Sequence, residues 1–259
     1  MERFLKMSRT HLIIPDAHAH PDYHNKRAEW LGGLIADIKP DVVINIGDVA
    51  DMPSLSSYDK GTKGFIGRNY KKDITSAVDF EDRLWNVVKK QKKRLPLRIK
   101  LHGNHEYRIG RAINASPELE GAISYEDLQE KYYYDEIIPY TGQTPGIYTI
   151  DGISYAHFFC SGVMGRAISG EHPAYQLITK KFGSCTQGHV HTADLSIRTN
   201  KDNSKIFGCV VGVYQDYESD WAGEINKLWW RGVVVKRGVS DGHYDPEFIS
   251  LDRIKKEYA

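Results

Sequence analysis

Four short stretches of this chain concentrate side chains that bind divalent cations: Asp16-Ala17-His18, Gly47-Asp48-Val49-Ala50-Asp51, Gly103-Asn104-His105-Glu106 and Gly188-His189-Val190-His191. Two such cations a few ångströms apart repel each other, so a centre that holds both needs a shared anionic ligand between them. Asp48 is the candidate, and Gly47 before it permits a tight exit from a strand. Asp16 and His18 stand two apart, a spacing that puts both side chains on one side of an extended segment, and His189 and His191 repeat it. Asn104 adds a neutral amide oxygen, and His157 adds an imidazole at the end of an apolar run. The chemistry open to such a set is hydrolysis, because paired cations activate water near neutral pH and neutralise charge on an oxyanion.

Bringing these motifs to one place requires strands that end together. Residues 11–14 form a short apolar run stopped by Pro15, and 25–38 show helical spacing with Ala28, Leu31, Leu34, Ile35 and Ile38 on one face. Pro40 ends that helix, and 42–46 are β-branched and uncharged, as in a strand covered on both faces. Strand, helix and strand in that order predict a parallel βαβ unit. A long polar connection at 51–75 follows, too long to be idle in a compact domain. The pattern then predicts a helix at 76–94, a strand at 97–101 and a partly helical segment at 108–135, best at 118–128. Tyr132, Tyr133 and Tyr134 are expected to pack. Residues 147–150 and 153–158 flank Asp151-Gly152, a type I′ hairpin signal. A helix at 173–181 and strands at 184–187, 195–199, 205–213, 229–236 and 248–251 complete the expectation. With no repeat, low-complexity tract or linker, residues 1–259 read as a single domain with a Trp-rich C-terminal part.

Composition excludes several classes. A formal net charge of +1 gives no global field toward nucleic acid or membrane. Cys160, Cys185 and Cys209 are widely spaced and odd in number, which argues against a disulfide framework or a zinc knuckle and for free thiols in a reducing cytosol. Residues 1–9 lack the apolar stretch of a signal peptide, and no run is long enough to span a membrane, so the expected location is cytoplasmic. A basic cluster (Lys89, Lys90, Lys92, Lys93, Arg94, Arg98, Lys100) reads as a solvated helix end, with nucleic-acid contact as the sharper alternative. The aromatics Tyr217, Trp221, Trp229 and Trp230 could stack on a base, or pack under the last strands.

The ordered motifs D-x-H, G-D-x-x-D, G-N-H-E, a strand-end histidine and G-H-x-H resemble the calcineurin-like metallophosphoesterase superfamily, and they span residues 16 to 191. The resemblance implies a four-layer αββα sandwich of two mixed sheets flanked by helices. It implies that Asp16, His18, Asp48 and His191 hold one divalent metal and that Asp48, Asn104, His157 and His189 hold the other. The expected metal is Mn2+, with Zn2+, Fe2+, Co2+ or Ni2+ as alternatives, because histidine-rich sites disfavour magnesium. It further implies a hydroxide between the metals as nucleophile and His105 as the acid that protonates the leaving alkoxide, with Glu106 or Asp51 orienting it. Asn104, Arg108 and Arg111 would contact the substrate phosphate.

The expected reaction is hydrolysis of phosphate esters, foremost phosphodiesters of nucleotides or nucleic acid, as the long loop and the Trp-rich tail resemble small phage-encoded phosphoesterases. A phosphomonoesterase and a non-catalytic scaffold are the rival readings. Protein phosphatases share G-N-H-E but follow the second motif with Asp-Arg-Gly, whereas here Met52 and Pro53 follow Asp51. Phe158 follows His157 where many members of the superfamily have glycine. An amidohydrolase barrel could also open on Asp16, His18 and His20, but it gives no reason for Gly103-Asn104-His105. His157 taken alone could be a core histidine, and Asp51 a cap.

Overall fold

The structure is a computed structural model that describes residues 8–91 and 94–259; the expectation for residues 1–7 and the basic pair Lys92-Lys93 lie outside the described residues. Alternation of apolar residues builds the first sheet. In β1 (Arg9–Ile14), Leu12 and Ile14 face one way and Ile13 the other, and all three are fully buried. The predicted βαβ unit is present: α1 (Lys26–Ile38) connects β1 to β2 (Val42–Asn45), which pairs parallel with Ile13 opposite Ile44. Lys39 closes α1 in the left-handed region at φ 56, just before Pro40. β3 (Leu97–Leu101) and β4 (Glu136–Ile138) extend the parallel half, while β12 (Gly232–Ser240) and β13 (His243–Ser250) add an antiparallel half beyond β1.

The second sheet runs β10 (Ala193–Thr199), β11 (Lys205–Val211), β9 (Ser184–Gln187), β6 (Ile153–Ala156), β5 (Tyr148–Ile150), again with parallel and antiparallel pairs. Asp151 and Gly152 take the left-handed conformations that the type I′ signal between β5 and β6 demands (φ 50 and 79). A two-stranded ribbon joins β7 (Cys160–Ser161) to β8 (Arg166–Ala167). The architecture is therefore mixed α/β with two mixed sheets and helices. Neither sheet closes into a barrel, which removes the amidohydrolase alternative.

Three apolar clusters hold these elements. Ile13, Ile44 and Ile99 of the first sheet meet Tyr155, Cys209 and Val211 of the second. The opposite face of the first sheet, with Leu12, Val43 and Val233, packs on Leu31 and Ile35 of α1, Leu84 and Trp85 of α2 (Tyr70–Gln91), and Ile254 of α5 (Leu251–Tyr258). α4 (Pro173–Lys181) lays Ala174 and Leu177 on Cys185 and Val210 of the second sheet. The backbone approach there is close: a Cβ at Gly208 would lie 2.0 Å from the Ala174 carbonyl oxygen.

Several elements depart from the pattern-based expectation. α2 begins at Tyr70, six residues earlier than expected, so the long connection is shorter than 51–75. Residues 118–128 are not an α-helix but single 3-10 turns at Pro117–Leu119 and Tyr125–Leu128, because Pro117, Gly121 and the Ser124 capping box interrupt any longer helix. β4 is too short to show a pattern, and α5, although Leu251, Ile254 and Tyr258 share one face, follows β13 without a break; neither was expected. The last strands run as one hairpin, and Trp229 and Trp230 precede it. Among the described residues no helix is long and apolar enough to cross a membrane.

Lys236 of β12 is fully buried between the sheets, with its Nζ on the Thr186 hydroxyl and over the rings of Tyr244 (4.2 Å) and Tyr155 (4.8 Å). Burial drives its pKa down to about 8, with the thiols of Cys209 and Cys185 opposing the fall. The unfolded chain takes up this proton below about 10.5 and the folded chain only below about 8, so stability is lost as pH falls through that window. Lys236→Met is expected to stabilise the protein at pH 7 by up to about 3 kcal/mol and to flatten the dependence between pH 8 and 10. Urea midpoints of the two proteins at both pH values check this.

Candidate metal centre

Every motif sits in the turn that leaves a strand, and all these turns lie at one end of the two sheets. Because β2 and β3 pair in parallel with Asn45 opposite Lys100, their exits run side by side. They touch so closely that a Cβ at Gly103 would lie 2.0 Å from Asp48 Oδ1. The His105 amide donates to that same oxygen at 2.8 Å. Gly188 is required for the same reason, since a Cβ there would lie 2.3 Å from Asp16 Oδ1. The D-x-H and H-x-H segments are not extended as the spacing suggested. His18, Asp48, His189 and His191 all have positive φ (44, 53, 69 and 61), and the His18 and Ala19 amides bond to the Asp48 and Val49 carbonyls (2.9 and 2.6 Å).

Among the described residues, three groups of side chains bring potential ligand atoms within 4.8 Å of one another: Asp16, His18 and His191; Asp16, Asp48 and His157; and His18, Asp51 and His105. Their hydrogen bonds leave the first two groups suited to a cation. His157 Nδ1–H donates to the Ile46 carbonyl (3.1 Å), which leaves Nε2 as an acceptor facing Asn104 Oδ1 at 2.9 Å and Asp48 Oδ2 at 3.3 Å. His18 Nδ1 is bound to Asp51 Oδ1 (2.8 Å), so its Nε2 lone pair points at His191 Nε2, 3.1 Å away. Asp16 accepts from His189 N–H (3.0 Å) through Oδ2, and its Oδ1 is buried with no hydrogen-bond partner. Acceptors converging without donors between them are what a divalent ion satisfies.

Without that ion the charges fall on the imidazoles. Burial opposes a charge on His157, but Asp48 and Asp16 overcome it and raise its pKa to about 9. Burial and then the neighbouring His157 push His189 down to about 4. Asp48 is buried and Asp51 half-buried, and burial opposes their charge, yet surrounding histidines hold both carboxyls well below the ordinary carboxylate range.

The structure thus brings together Asp16, His18, Asp48, Asn104, His157 and His191. His189 contributes its backbone N–H to Asp16, while its ring packs on His157 (5.2 Å between centroids) and Phe158 (4.8 Å) and lies outside the three donor groups. His105 has its Nδ1 held by Asp51, on the carbonyl at 2.7 Å and on Oδ1 at 3.1 Å. Its Nε2 is 3.8 Å from Asp48 Oδ2 and 3.2 Å from Arg108 Nη2. Arg108 also ties down the Asp51 and Met52 carbonyls (2.9 and 3.2 Å). Arg111 is exposed on α3 (Tyr107–Ala115) and belongs to none of the groups.

Glu106 corrects one expectation. It does not orient His105, a task that falls to Asp51. Instead its fully buried carboxylate accepts the N–H groups of Asp48 (2.9 Å), Val49 (2.8 Å), Ala50 (3.1 Å) and Gly103 (2.8 Å), and pairs with buried Lys100 at 3.1 Å. Burial opposes its charge, but Lys100 keeps its pKa below the usual value. The basic cluster is likewise not one surface: Lys100 is fully buried, and Arg98 is paired with Asp135 at 2.7 Å. Lys100 shares its strand with Arg98, and nothing in the sequence marked Lys100 as the buried one of the two.

No family model matches the chain. The Gene 54 protein of Mycobacterium phage L5 is 37% identical over 67 residues, so the chain spans about a quarter (26%) of that relative's length. One solved chain aligns over 94% of this chain and 100% of its own with a TM-score of 0.42 and 12% identity. The protein TT1561 of Thermus thermophilus aligns over 94% of this chain and 99% of its own with a TM-score of 0.36 and 11% identity. At these values neither likeness carries an argument, and the functional reading rests on the residues.

Lys100→Met leaves the Glu106 charge buried without its partner and is expected to cost about 3–5 kcal/mol of stability. Adding Glu106→Gln is expected to recover part of that loss. Urea denaturation of the single and double variants checks both.

Proposed function

We propose that this protein is a metal-dependent phosphoesterase that hydrolyses phosphodiesters of nucleotides or nucleic acid. The observation that carries this reading is the acceptor-only convergence of Asp48, Asn104 and His157 beside Asp16, His18 and His191, drawn from motifs at positions 16 to 191. In it, Asp16, His18, Asp48 and His191 would hold one divalent cation, and Asp48, Asn104, His157 and His189 the other, Mn2+ in the first instance. When bound, the two ions supply Lewis acidity that activates water and neutralises charge on the phosphoryl oxygens. The reading includes a four-layer αββα arrangement, supported by the three apolar clusters that pack α1, α2 and α5, the two sheets, and α4 in succession.

The chain's own residues then have separable tasks. His105 holds the proton that the leaving alkoxide oxygen needs. Asp51 fixes its Nδ1, so Nε2 is the atom turned toward Asp48 and the reacting group. Its ring is the more accessible partner, with 16% of the side chain exposed against 2% for Asp48. Arg108 Nη2 lies beside that nitrogen, where its charge favours an anionic oxygen. Trp229, edge-on to His191 at 4.4 Å, walls one side of the centre.

With manganese present, the wild type is expected to hydrolyse bis-p-nitrophenyl phosphate faster than p-nitrophenyl phosphate. The reverse order favours the monoesterase. Asp48→Asn should abolish both activity and tight metal uptake. His105→Ala should keep the metal content, measured by elemental analysis, and lower kcat by about 10²–10⁴-fold. A metal-loaded wild type that cleaves neither ester would leave only the scaffold reading.

A further inference from the structure

The connection between the second motif and α2 ends on Arg68, which reaches back to the centre. Its Nε donates to the Gly64 carbonyl (2.9 Å), and its Nη1 lies 2.7 Å from His20 Nε2. His20 Nδ1 also faces a donor, the Asp22 N–H at 3.1 Å. Asp22 Oδ2 lies 3.7 Å from that same nitrogen, so with Nδ1–H turned to the carboxylate, Nε2 accepts from Arg68 and holds the guanidinium in place. No carboxylate among the described residues ion-pairs with Arg68, and Asp51 Oδ2 stands 3.9 Å from His20 Nε2. A guanidinium fixed by two neutral acceptors, the Gly64 carbonyl and His20 Nε2, keeps its charge for an anionic oxygen, in the opposite sense to the acceptor-only cluster next to it.

Asp51 shows where this place stands relative to the reaction. Its Oδ1 faces His18 and His105, and its Oδ2 faces His20. Arg68 and His20 therefore lie one carboxylate further out than the group that protonates the leaving oxygen. We infer that Arg68, positioned by His20, forms an anion subsite for a second phosphate, carried on the leaving-group side of the ester that is cut. The substrate class is then a phosphodiester with a further phosphate beyond the scissile one, as in a polynucleotide or a dinucleotide with a terminal phosphate on its leaving nucleoside. Arg68 is a binding residue in this scheme, and the polar 51–69 connection is the arm that delivers it. The identity of the ester rests on the phosphoesterase reading, but the subsite itself does not.

Calorimetric titration of the metal-free full-length protein with inorganic phosphate tests the subsite without turnover. The wild type is expected to bind phosphate, Arg68→Ala to bind it about tenfold or more weakly, and Arg68→Lys to fall between them. A metal-free wild type that takes up no phosphate, or an Arg68→Ala protein that binds it equally well, overturns the inference. With manganese, Arg68→Ala is expected to raise KM far more than it lowers kcat for a thymidine dinucleotide bearing a terminal phosphate on its leaving nucleoside. The rise should be much smaller for the same dinucleotide without that phosphate. Equal rises in KM overturn the assignment to a second phosphate. Arg68-dependent phosphate binding in a protein that cleaves no ester would leave the subsite standing and remove the hydrolytic reading.

Discussion

The centre depends on one buried carboxylate that belongs to none of the candidate ligand groups. Glu106 accepts four backbone N–H groups from the turns that leave β2 and β3, and Lys100, at the end of β3, balances its charge. Those N–H groups lie in a region closed to solvent, where an unpaired donor costs about 1–3 kcal/mol. The clamp therefore determines where Asp48 can stand, and Asp48 determines where His105 and His157 can meet it. Glycine at 47 and 103 is the steric half of the same constraint, because the two turns pass too close for any side chain between them.

Four residues of the candidate metal centre carry backbone strain of their own. His18, Asp48, His189 and His191 all adopt left-handed backbone, which costs non-glycine residues of order 1–3 kcal/mol each. Such conformations persist only where neighbours over-determine them. Here they do: the His18 amide bonds to the Asp48 carbonyl, the His189 amide to the Asp16 carboxylate, and the Trp230 amide to the His191 carbonyl. The ligand turns are thereby stitched to one another across both sheets. The cost is carried by the apolar layer beneath, in which Ile46 and Ile99 are fully buried.

The parts legible in the sequence were those governed by short-range periodicity. β1, α1, β2, β3, α4, β9 and the Asp151-Gly152 hairpin follow from apolar spacing and turn chemistry that act within a few residues. The start of α2 at Tyr70 was missed because Lys71, Lys72 and Asp73 give its first turn no apolar stripe. α5 follows a strand with a single residue as its cap, Ser250, so no loop composition announced it. In the site, the D-x-H, G-D, G-N-H and H-x-H residues were readable because their types are constrained by ligand chemistry. The roles of Lys100, Glu106 and Arg68 were not. Each is set by contacts to backbone or to residues on another element, and a lone charge in a sequence does not say which amide or ring it will meet.

Charge layering ties these shells together. The innermost groups are acidic, Asp16 and Asp48 buried and Asp51 half-buried, and the histidines around them supply positive charge in direct contact. Below them Lys100 answers Glu106, and above them Arg68 and Arg108 approach His20 and His105. A polar centre in so dry a setting is stable only if each layer alternates in sign with the next, since unpaired charge is costly in low dielectric. That alternation lets a chain of net charge +1 keep an acidic candidate metal centre beside basic side chains. Asp51 stands between the two, with Oδ1 turned to His18 and His105 and Oδ2 to His20 and, beyond it, Arg68.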